Sequence, residues 1–375
     1  MRATLSEPLE HPAKAVRCTA CQHYCTIREG QSGVCGVRLN KQGELHLLVY
    51  GKASAVNIDP IEKKPLFHFL PGSKIFSIGT VGCNFSCSFC QNWDLSQAAK
   101  EVKLRMLRGR QEQREGEHDS RASKQEHPTT SIRDMAAEIG KFGIELAPQR
   151  IVELCLEQHI PSIAYTYNEP AIFAEYAHDT AKLAKQHGIR NVFVSNGYES
   201  HELLDHIGPY LDAMNIDLKG SDQFYQQLCH ARQAPVLKTI HDAHARGIWI
   251  EVTTLVIPGK NTGDLAAIAR HIASVSRDIP WHVTAFRPDY KLLDAPATTQ
   301  EELLDAYATG KRAGLRFVYV GNIIDTKHSS TLCPACAKML VERAGHAVKV
   351  TDGQDSTLLR KGVCSCGEKI PGVWQ

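Results

Sequence analysis

Between Ser131 and Asn322 the spacing of apolar residues changes period repeatedly, and that alternation is the first thing the chain discloses. Short apolar runs rich in β-branched and aromatic residues read as buried strands: KIFSIGT (Lys74 to Thr80), SIAYTYNEP, NVFVSNG, AMNIDLKG, IWIEVTTLVIPG, WHVTAFRPDY and LRFVYVGN. Between them apolar residues recur every three or four positions, as on one face of a helix. SIRDMAAEIGKF, QRIVELCLEQH, AIFAEYAHDTAKLAKQHG ending at Gly188, and TQEELLDAYATGKRAG follow this rule, with further helices from Ser200 to Ile207 and around 221–229, 234–246 and 264–276. Strands alternating with helices predict parallel βαβ units in an α/β fold, and six or seven of them can curl into a partial barrel. The pattern alone leaves a doubly wound sheet open.

The flanks read differently. GELHLLVYGKASAVNIDP predicts short strands of a small β subdomain that leads through KKPLFHFLPGS into the first core strand. From Gln97 to Thr130 there is almost no apolar residue after Leu107, which predicts an exposed, mobile insertion over 97–130. Its basic half, Lys100, Lys103, Arg105, Arg108, Arg110 and Arg114, reads as a solvated charge run. The expected division is a cysteine-rich β subdomain over 1–73, a barrel over 74–325 and a small terminal domain over 326–375.

Composition narrows the classes. With 375 residues, 43% of them hydrophobic, the chain can bury a barrel-sized core. A formal charge of only +2 gives no electrostatic footprint for nucleic acid or an acidic membrane. The N-terminal MRATLSEPLEHPAKAVRC has no apolar core of the secretory type and no segment has the length of a membrane span, so a cytoplasmic location is expected. In that setting thirteen cysteines read as metal ligands rather than disulfides.

Eleven of those cysteines fall into three groups, with Cys155 and Cys229 alone as small buried hydrophobes. Cys83, Cys87 and Cys90 form C-x3-C-x2-C directly after the strand KIFSIGT. Three thiolates on one loop can hold an iron–sulfur cubane with one iron unclaimed, and an open metal position marks a reactive site. The loop, with Phe89 before its third cysteine, resembles the cluster loop of the radical SAM superfamily. That resemblance implies a [4Fe-4S] cluster whose open iron is chelated by S-adenosyl-L-methionine, which one electron cleaves to a 5'-deoxyadenosyl radical. Cys18, Cys21, Cys25 and Cys35 can close a zinc site or hold a second cluster, with His23 a substitute ligand. Cys333, Cys336, Cys364 and Cys366, spaced C-x2-C and C-x-C, resemble a zinc ribbon in which Zn supplies folding energy.

In both barrels and doubly wound sheets chemistry gathers at the carboxyl ends of the strands. The polar residues placed there are Tyr165, Tyr167, Asn168 and Glu169; Ser195 and Asn196; Asp217 and Lys219; Glu251, Thr253 and Thr254; and Arg287, Asp289 and Tyr290. On chemical grounds Glu169 is the candidate acceptor for the cofactor ammonium, and Lys219 or Arg287 the partner of its carboxylate. Ser195, Asn196 and Asp217 are candidates for the ribose hydroxyls. Phe89 and the turn Val256-Ile257-Pro258 are candidates to enclose the adenine.

The ordered set CNFSCSFCQNWDLSQ, AYTYNEPAIFAEYAHDT, NVFVSNGY, LDAMNIDLKG, IWIEVTTLVIPG, IPWHVTAFRPDY, FVYVGN and IPGVW resembles the AmmeMemoRadiSam system radical SAM enzymes, relatives of the pyruvate formate-lyase activating enzymes. The resemblance implies a partial (β/α)6-type radical SAM barrel with cysteine-rich appendages at both ends. It also implies AMMECR-type and Memo-type proteins as partners, beside an electron donor of flavodoxin or ferredoxin type. Where activase relatives carry Gly-Gly-Glu-Pro, this chain has Tyr167-Asn168-Glu169-Pro170. The expected function is abstraction of hydrogen from a substrate the sequence does not identify. A glycyl-radical activase acting on a partner protein, and a non-catalytic metal-binding scaffold, are the competing readings.

Overall fold

The computed structural model describes residues 1–11, 14–117, 132–345, 347–350 and 361–375. The apolar runs assemble into one sheet of eight strands: β1 (Ala55–Pro60), β2 (Lys74–Gly79), β3 (Ser162–Tyr165), β4 (Arg190–Ser195), β5 (Ala213–Asp217), β6 (Trp249–Val256), β7 (Trp281–Ala285) and β8 (Val318–Gly321). Each strand lies beside its neighbour in the chain, from β1 at one margin to β8 at the other. A doubly wound sheet requires a reversal of strand order. None occurs here, so the sheet curls in one sense as a partial barrel, with β1 and β8 unpaired to each other. Strands β2 to β8 are parallel, seven rather than six. The run AVNIDP, read from the sequence as part of the N-terminal subdomain, pairs antiparallel to β2 as the edge of this sheet.

The intervening helices follow their periodic stretches: α1 (Ala98–Glu117), α2 (Ile132–Gly140), α3 (Pro148–Glu157), α4 (Ala174–Gln186), α5 (His201–Ile207), α6 (Gln233–Ala245), α7 (Leu265–Val275) and α8 (Gln300–Arg312). Two of them, α5 and α8, begin at side chains that satisfy free backbone N–H groups. Ser200 Oγ accepts from Leu203 N before α5, and Thr299 and Glu302 form a reciprocal capping box before α8.

Helix α1 corrects the expectation of an exposed insertion over its first half. Ala98, Ala99 and Val102 are buried. Lys103 Nζ donates to the carbonyl oxygens of Ser32 (2.9 Å) and Gly33 (3.3 Å), so the basic stretch is not simply a solvated face. The remaining residues of that insertion, 118–130, lie outside the described residues.

Both appendages are fastened to the barrel by buried polar groups. Arg38 Nη2 meets Glu175 Oε2 of α4 at 2.5 Å, while Arg38 Nε donates to Ile172 O at 3.0 Å. An ion pair buried this completely is costly to break from one side. The segment between β1 and β2 is tied to Glu251, whose oxygens accept from Phe67 N (2.9 Å) and His68 N (2.7 Å). Glu251, placed by the sequence at a strand tip, is the third residue of β6 and serves as this anchor. The C-terminal three-stranded sheet (Thr331–Leu332, Met339–Ala344, Ala347–Val350) reaches the same segment: Arg343 Nη2 donates to Phe67 O at 2.8 Å.

Candidate active site

Cys83, Cys87 and Cys90 follow β2 on one loop, and all three line a cavity of about 570 Å³ at the carboxyl ends of the strands. The loop's shape needs Gly82. Its φ of +94° suits glycine, and a Cβ there would stand 2.7 Å from Cys35 O. Ser86 N and Ser88 N donate to Cys229 O (3.0 Å) and Leu228 O (2.9 Å), pinning the loop to a π-helical turn, Tyr225–Cys229. Lys100 of α1 supports the other side, with Nζ 2.5 Å from Phe85 O and 2.7 Å from Ser86 Oγ.

The donor set fits an iron–sulfur cluster. Burial pushes the Cys83 thiol up against the opposing charge of Lys100. The neighbouring Cys229 thiol and burial raise Cys87, and burial raises Cys90. Three thiolates in this environment require compensating positive charge, which a cationic metal centre supplies together with Lys100 and Lys219. Asn84 Nδ2 and Ser88 Oγ are buried in the same loop without a hydrogen-bond partner, donors of the kind that tune cluster sulfurs. Cys229 does not line the cavity.

The strand tips deliver most, but not all, of the expected residues. Phe89, Asn168, Ser195, Asn196, Asp217 and Lys219 line the same cavity as the three cysteines. Asn168 Nδ2 holds the entry to the loop through Gly82 O (2.8 Å) and Thr80 Oγ1 (3.1 Å). Lys219 Nζ stands 2.6 Å from Asp217 Oδ2; burial opposes its charge, yet Asp217 and Cys87 prevail and hold its pKa well above the ordinary lysine value.

Glu169, in contrast, lies behind the cavity wall. It is fully buried and accepts from Ala171 N (3.0 Å), Ser195 Oγ (3.0 Å) and Asn196 N (2.8 Å), so it joins two strand tips instead of facing a cofactor ammonium. Val256 and Ile257 are also fully buried. Because side chains alternate along β6, Thr253 and Leu255 face the cavity and Val256 faces away. Arg287 lines a second, adjoining chamber of about 780 Å³ with Lys63, His282 and Gln300. Lys63, Pro65, Thr284 and Asn322 border both spaces. Tyr290 stacks on Trp93 with ring centroids 5.3 Å apart.

Tyr167 occupies the place of the first glycine in Gly-Gly-Glu-Pro and has φ of +72°. An L-residue in that region costs about 1–2 kcal/mol. Its hydroxyl donates to Asp59 Oδ2 at 2.8 Å and accepts from Asn57 Nδ2 at 2.9 Å, and Lys64 Nζ lies 4.6 Å from the ring centroid. These contacts hold the strained turn against β1.

The two outer cysteine sets differ in spacing. Cys333, Cys336, Cys364 and Cys366 bring all four sulfurs within 4.8 Å of one another, with contacts of 3.6 Å (Cys333 to Cys366) and 3.7 Å (Cys336 to Cys364). One tetrahedral ion with Zn–S of about 2.3 Å sets its ligand sulfurs about 3.8 Å apart. Among the described residues this is the one group drawn together so closely. Cys18, Cys21, Cys25 and Cys35 are neighbours whose charges act on one another, and all are free thiols.

The sequence singled out most of these groups but not Lys100, Asn84 or a neighbour role for Cys229. The available signal for Lys100 was the spacing of Ala98, Ala99 and Val102, an apolar stripe that turns the helix inward.

The family model described as "Radical SAM superfamily" matches residues 77–272. An uncharacterized protein of Methanocaldococcus jannaschii is 37% identical over 359 residues, covering 95% of each chain. Among solved structures, a domain of pyruvate-formate lyase-activating enzyme from Bacteroides vulgatus is 18% identical with a TM-score of 0.39, covering 42% of this chain and 98% of its own. A radical SAM methyltransferase from Sphaerobacter thermophilus is 14% identical with a TM-score of 0.43, covering 72% and 71%. Among the described residues no helix is long and apolar enough to cross a membrane.

Proposed function

We propose, since the chain belongs to the Radical SAM superfamily, that Cys83, Cys87 and Cys90 hold a [4Fe-4S] cluster and that the cavity they line binds S-adenosyl-L-methionine. When bound, that pair supplies a 5'-deoxyadenosyl radical by one-electron cleavage of the sulfonium. The observation that carries the reading is convergence: three cysteines of one loop and residues at the carboxyl ends of six strands, β3 to β8, line one cavity.

The chain's own residues have separable tasks. Lys219, held by Asp217, is the cation for the cofactor carboxylate, and Asn168 and Asn196 offer polar contacts beside it. Phe89, packed 5.6 Å from Phe224, gives an apolar wall for the adenine. Glu169 fixes Ser195 and Asn196 in place and touches no ligand. The adjoining chamber holds the substrate, which donates hydrogen, and its Lys63 and Arg287 favour an anionic group. The C-terminal cysteines take one Zn as a folding element.

The ordered motifs favour an AmmeMemoRadiSam-type role, with AMMECR-type and Memo-type proteins as partners to seek by copurification. The test of the core reading is anaerobic reconstitution, reduction, addition of S-adenosyl-L-methionine and measurement of 5'-deoxyadenosine. Product above a Cys90→Ala control is expected. No product above that control would leave a metal-binding scaffold, and product formed only with a glycine-bearing partner protein would favour an activase.

A further inference from the structure

Three of the four N-terminal cysteines, Cys18, Cys21 and Cys35, are buried and Cys25 is half-buried. Their loop folds back on itself, with Cys18 N donating to Cys25 O at 2.9 Å and Tyr24 N to Cys21 O at 3.0 Å. Four thiols gathered in a small subdomain, none of them in a disulfide, form a ligand set.

Spacing distinguishes what such a set holds. A single tetrahedral ion draws every pair of sulfurs to about 3.8 Å, and the C-terminal quartet, with its four sulfurs within 4.8 Å of one another, fits that spacing. A [2Fe-2S] centre puts two thiolates on each iron and draws them together in two such pairs. A cubane takes one thiolate on each of four separate irons, so no pair is drawn together. Among the described residues the N-terminal quartet neither falls in the 4.8 Å grouping that the C-terminal one satisfies nor shows a paired sulfur contact like Cys333 to Cys366 or Cys336 to Cys364. The same is true of Cys83, Cys87 and Cys90.

Position then says what the centre serves. Cys35 O lies against Gly82, the residue before Cys83, and His23 Nε2 is 3.0 Å from the carbonyl oxygen of Asn84, the residue after it. Cys21 pairs through its backbone with Glu199, beyond the tip of β4. The two ligand loops are therefore in direct contact. Four cysteine ligands leave no open iron, so this centre cannot bind substrate as the other can.

We infer that Cys18, Cys21, Cys25 and Cys35 hold a second, fully ligated [4Fe-4S] cluster that passes single electrons to the reactive centre. The electron-passing half rests on the function proposed above; the ligand assignment does not. The step moves one electron and no atoms: a soluble low-potential donor of flavodoxin or ferredoxin class is oxidised by one electron, and the N-terminal centre is reduced and then reoxidised by the centre on Cys83, Cys87 and Cys90.

The test is metal and sulfide analysis with electron paramagnetic resonance on the full chain, purified and reconstituted anaerobically. A Cys83→Ala/Cys87→Ala/Cys90→Ala variant is expected to retain roughly four iron and four sulfide per chain, with a signal unaffected by S-adenosyl-L-methionine. Two zinc and no iron in that variant would overturn the assignment. Should the variant fail to fold, the unaltered chain decides: roughly eight iron and two signals, one responsive to S-adenosyl-L-methionine, support it, while roughly four iron and two zinc refute it. A Cys18→Ser/Cys21→Ser variant is expected to keep the responsive signal and to be reduced by dithionite normally, but at least roughly tenfold more slowly by a flavodoxin, a barrier rise of about 1.4 kcal/mol. Equal rates with the flavodoxin would remove the electron-passing role. If the unaltered chain shows no responsive signal while the triple variant keeps its iron, the function proposed above fails and the N-terminal assignment stands.

Discussion

Lys100 Nζ lies 2.5 Å from the carbonyl oxygen of Phe85, which places a half-buried ammonium from a charged, polar helix directly beneath the loop of Cys83. Burial lowers its pKa, while the cysteines around it favour the charge. Lys100→Met is expected to make the reactive centre harder to reduce, since a nearby positive charge is lost, and to remove about 1.5–3 kcal/mol of stability with the charged hydrogen bonds. A redox titration followed by electron paramagnetic resonance, with thermal melts alongside, checks both. An unchanged midpoint potential would show that Lys100 only braces the backbone.

Cys229 stands beside Cys87 yet outside the cavity, which separates neighbour from ligand. Cys229→Ala is expected to keep cluster content and to change S-adenosyl-L-methionine cleavage by less than about tenfold, the lower range for a supporting contact. Cys87→Ala removes cleavage altogether. Iron analysis and 5'-deoxyadenosine yield distinguish the two; iron lost equally in both variants would make Cys229 a fourth ligand.

His68 joins the C-terminal segment to the barrel, and its complete burial favours the neutral ring. Its Nδ1 donates to Pro371 O at 2.7 Å, which leaves Nε2 to accept from the Tyr319 hydroxyl at 2.6 Å. Burial, only partly opposed by Glu251, lowers its pKa from 6.5 to about 4. The unfolded chain therefore takes up this proton before the folded one, and stability falls as pH drops from about 6.5 towards about 4, by on the order of 3 kcal/mol. Thermal midpoints of the unaltered protein and His68→Gln across that window are expected to converge at low pH. Parallel curves would assign the acid sensitivity elsewhere.

Arg287 lines the adjoining chamber and not the cavity of the three reactive cysteines, whereas Lys63 borders both. Lys63→Ala and Arg287→Ala are each expected to raise the KM of an anionic substrate roughly fivefold, the upper worth of a partly exposed charge pair. Cleavage of S-adenosyl-L-methionine without substrate should not change in Arg287→Ala. A fall in that basal cleavage would move Arg287 into the cofactor site.

The architecture was legible because parallel strands buried on both faces leave near-continuous apolar runs, and SIAY and AMNID carry that mark plainly. Strand order was not, since β1 reads like any short polar-edged strand and only its pairing with β2 shows that it closes one margin. At the site, cysteine spacing is explicit in the sequence, whereas the direction a tip residue faces is not. Asn168 and Glu169 are adjacent letters of one motif, yet one lines the cavity and the other is locked behind it. Composition misread α1, because three small apolar residues near its start suffice to dock a helix whose average is strongly polar.

The two margins of the sheet, Ala55–Pro60 and Val318–Gly321, never meet. That slit is bridged by side chains and not by a strand ladder: His68, in the segment after β1, meets the hydroxyl of Tyr319 in β8 at 2.6 Å. Widening it breaks no interstrand hydrogen bond, whereas widening a closed ring would break a whole ladder. The aperture is therefore gauged by a few side chains along its lips, Asn57, Asp59 and Lys63 on one side and Asn322 on the other.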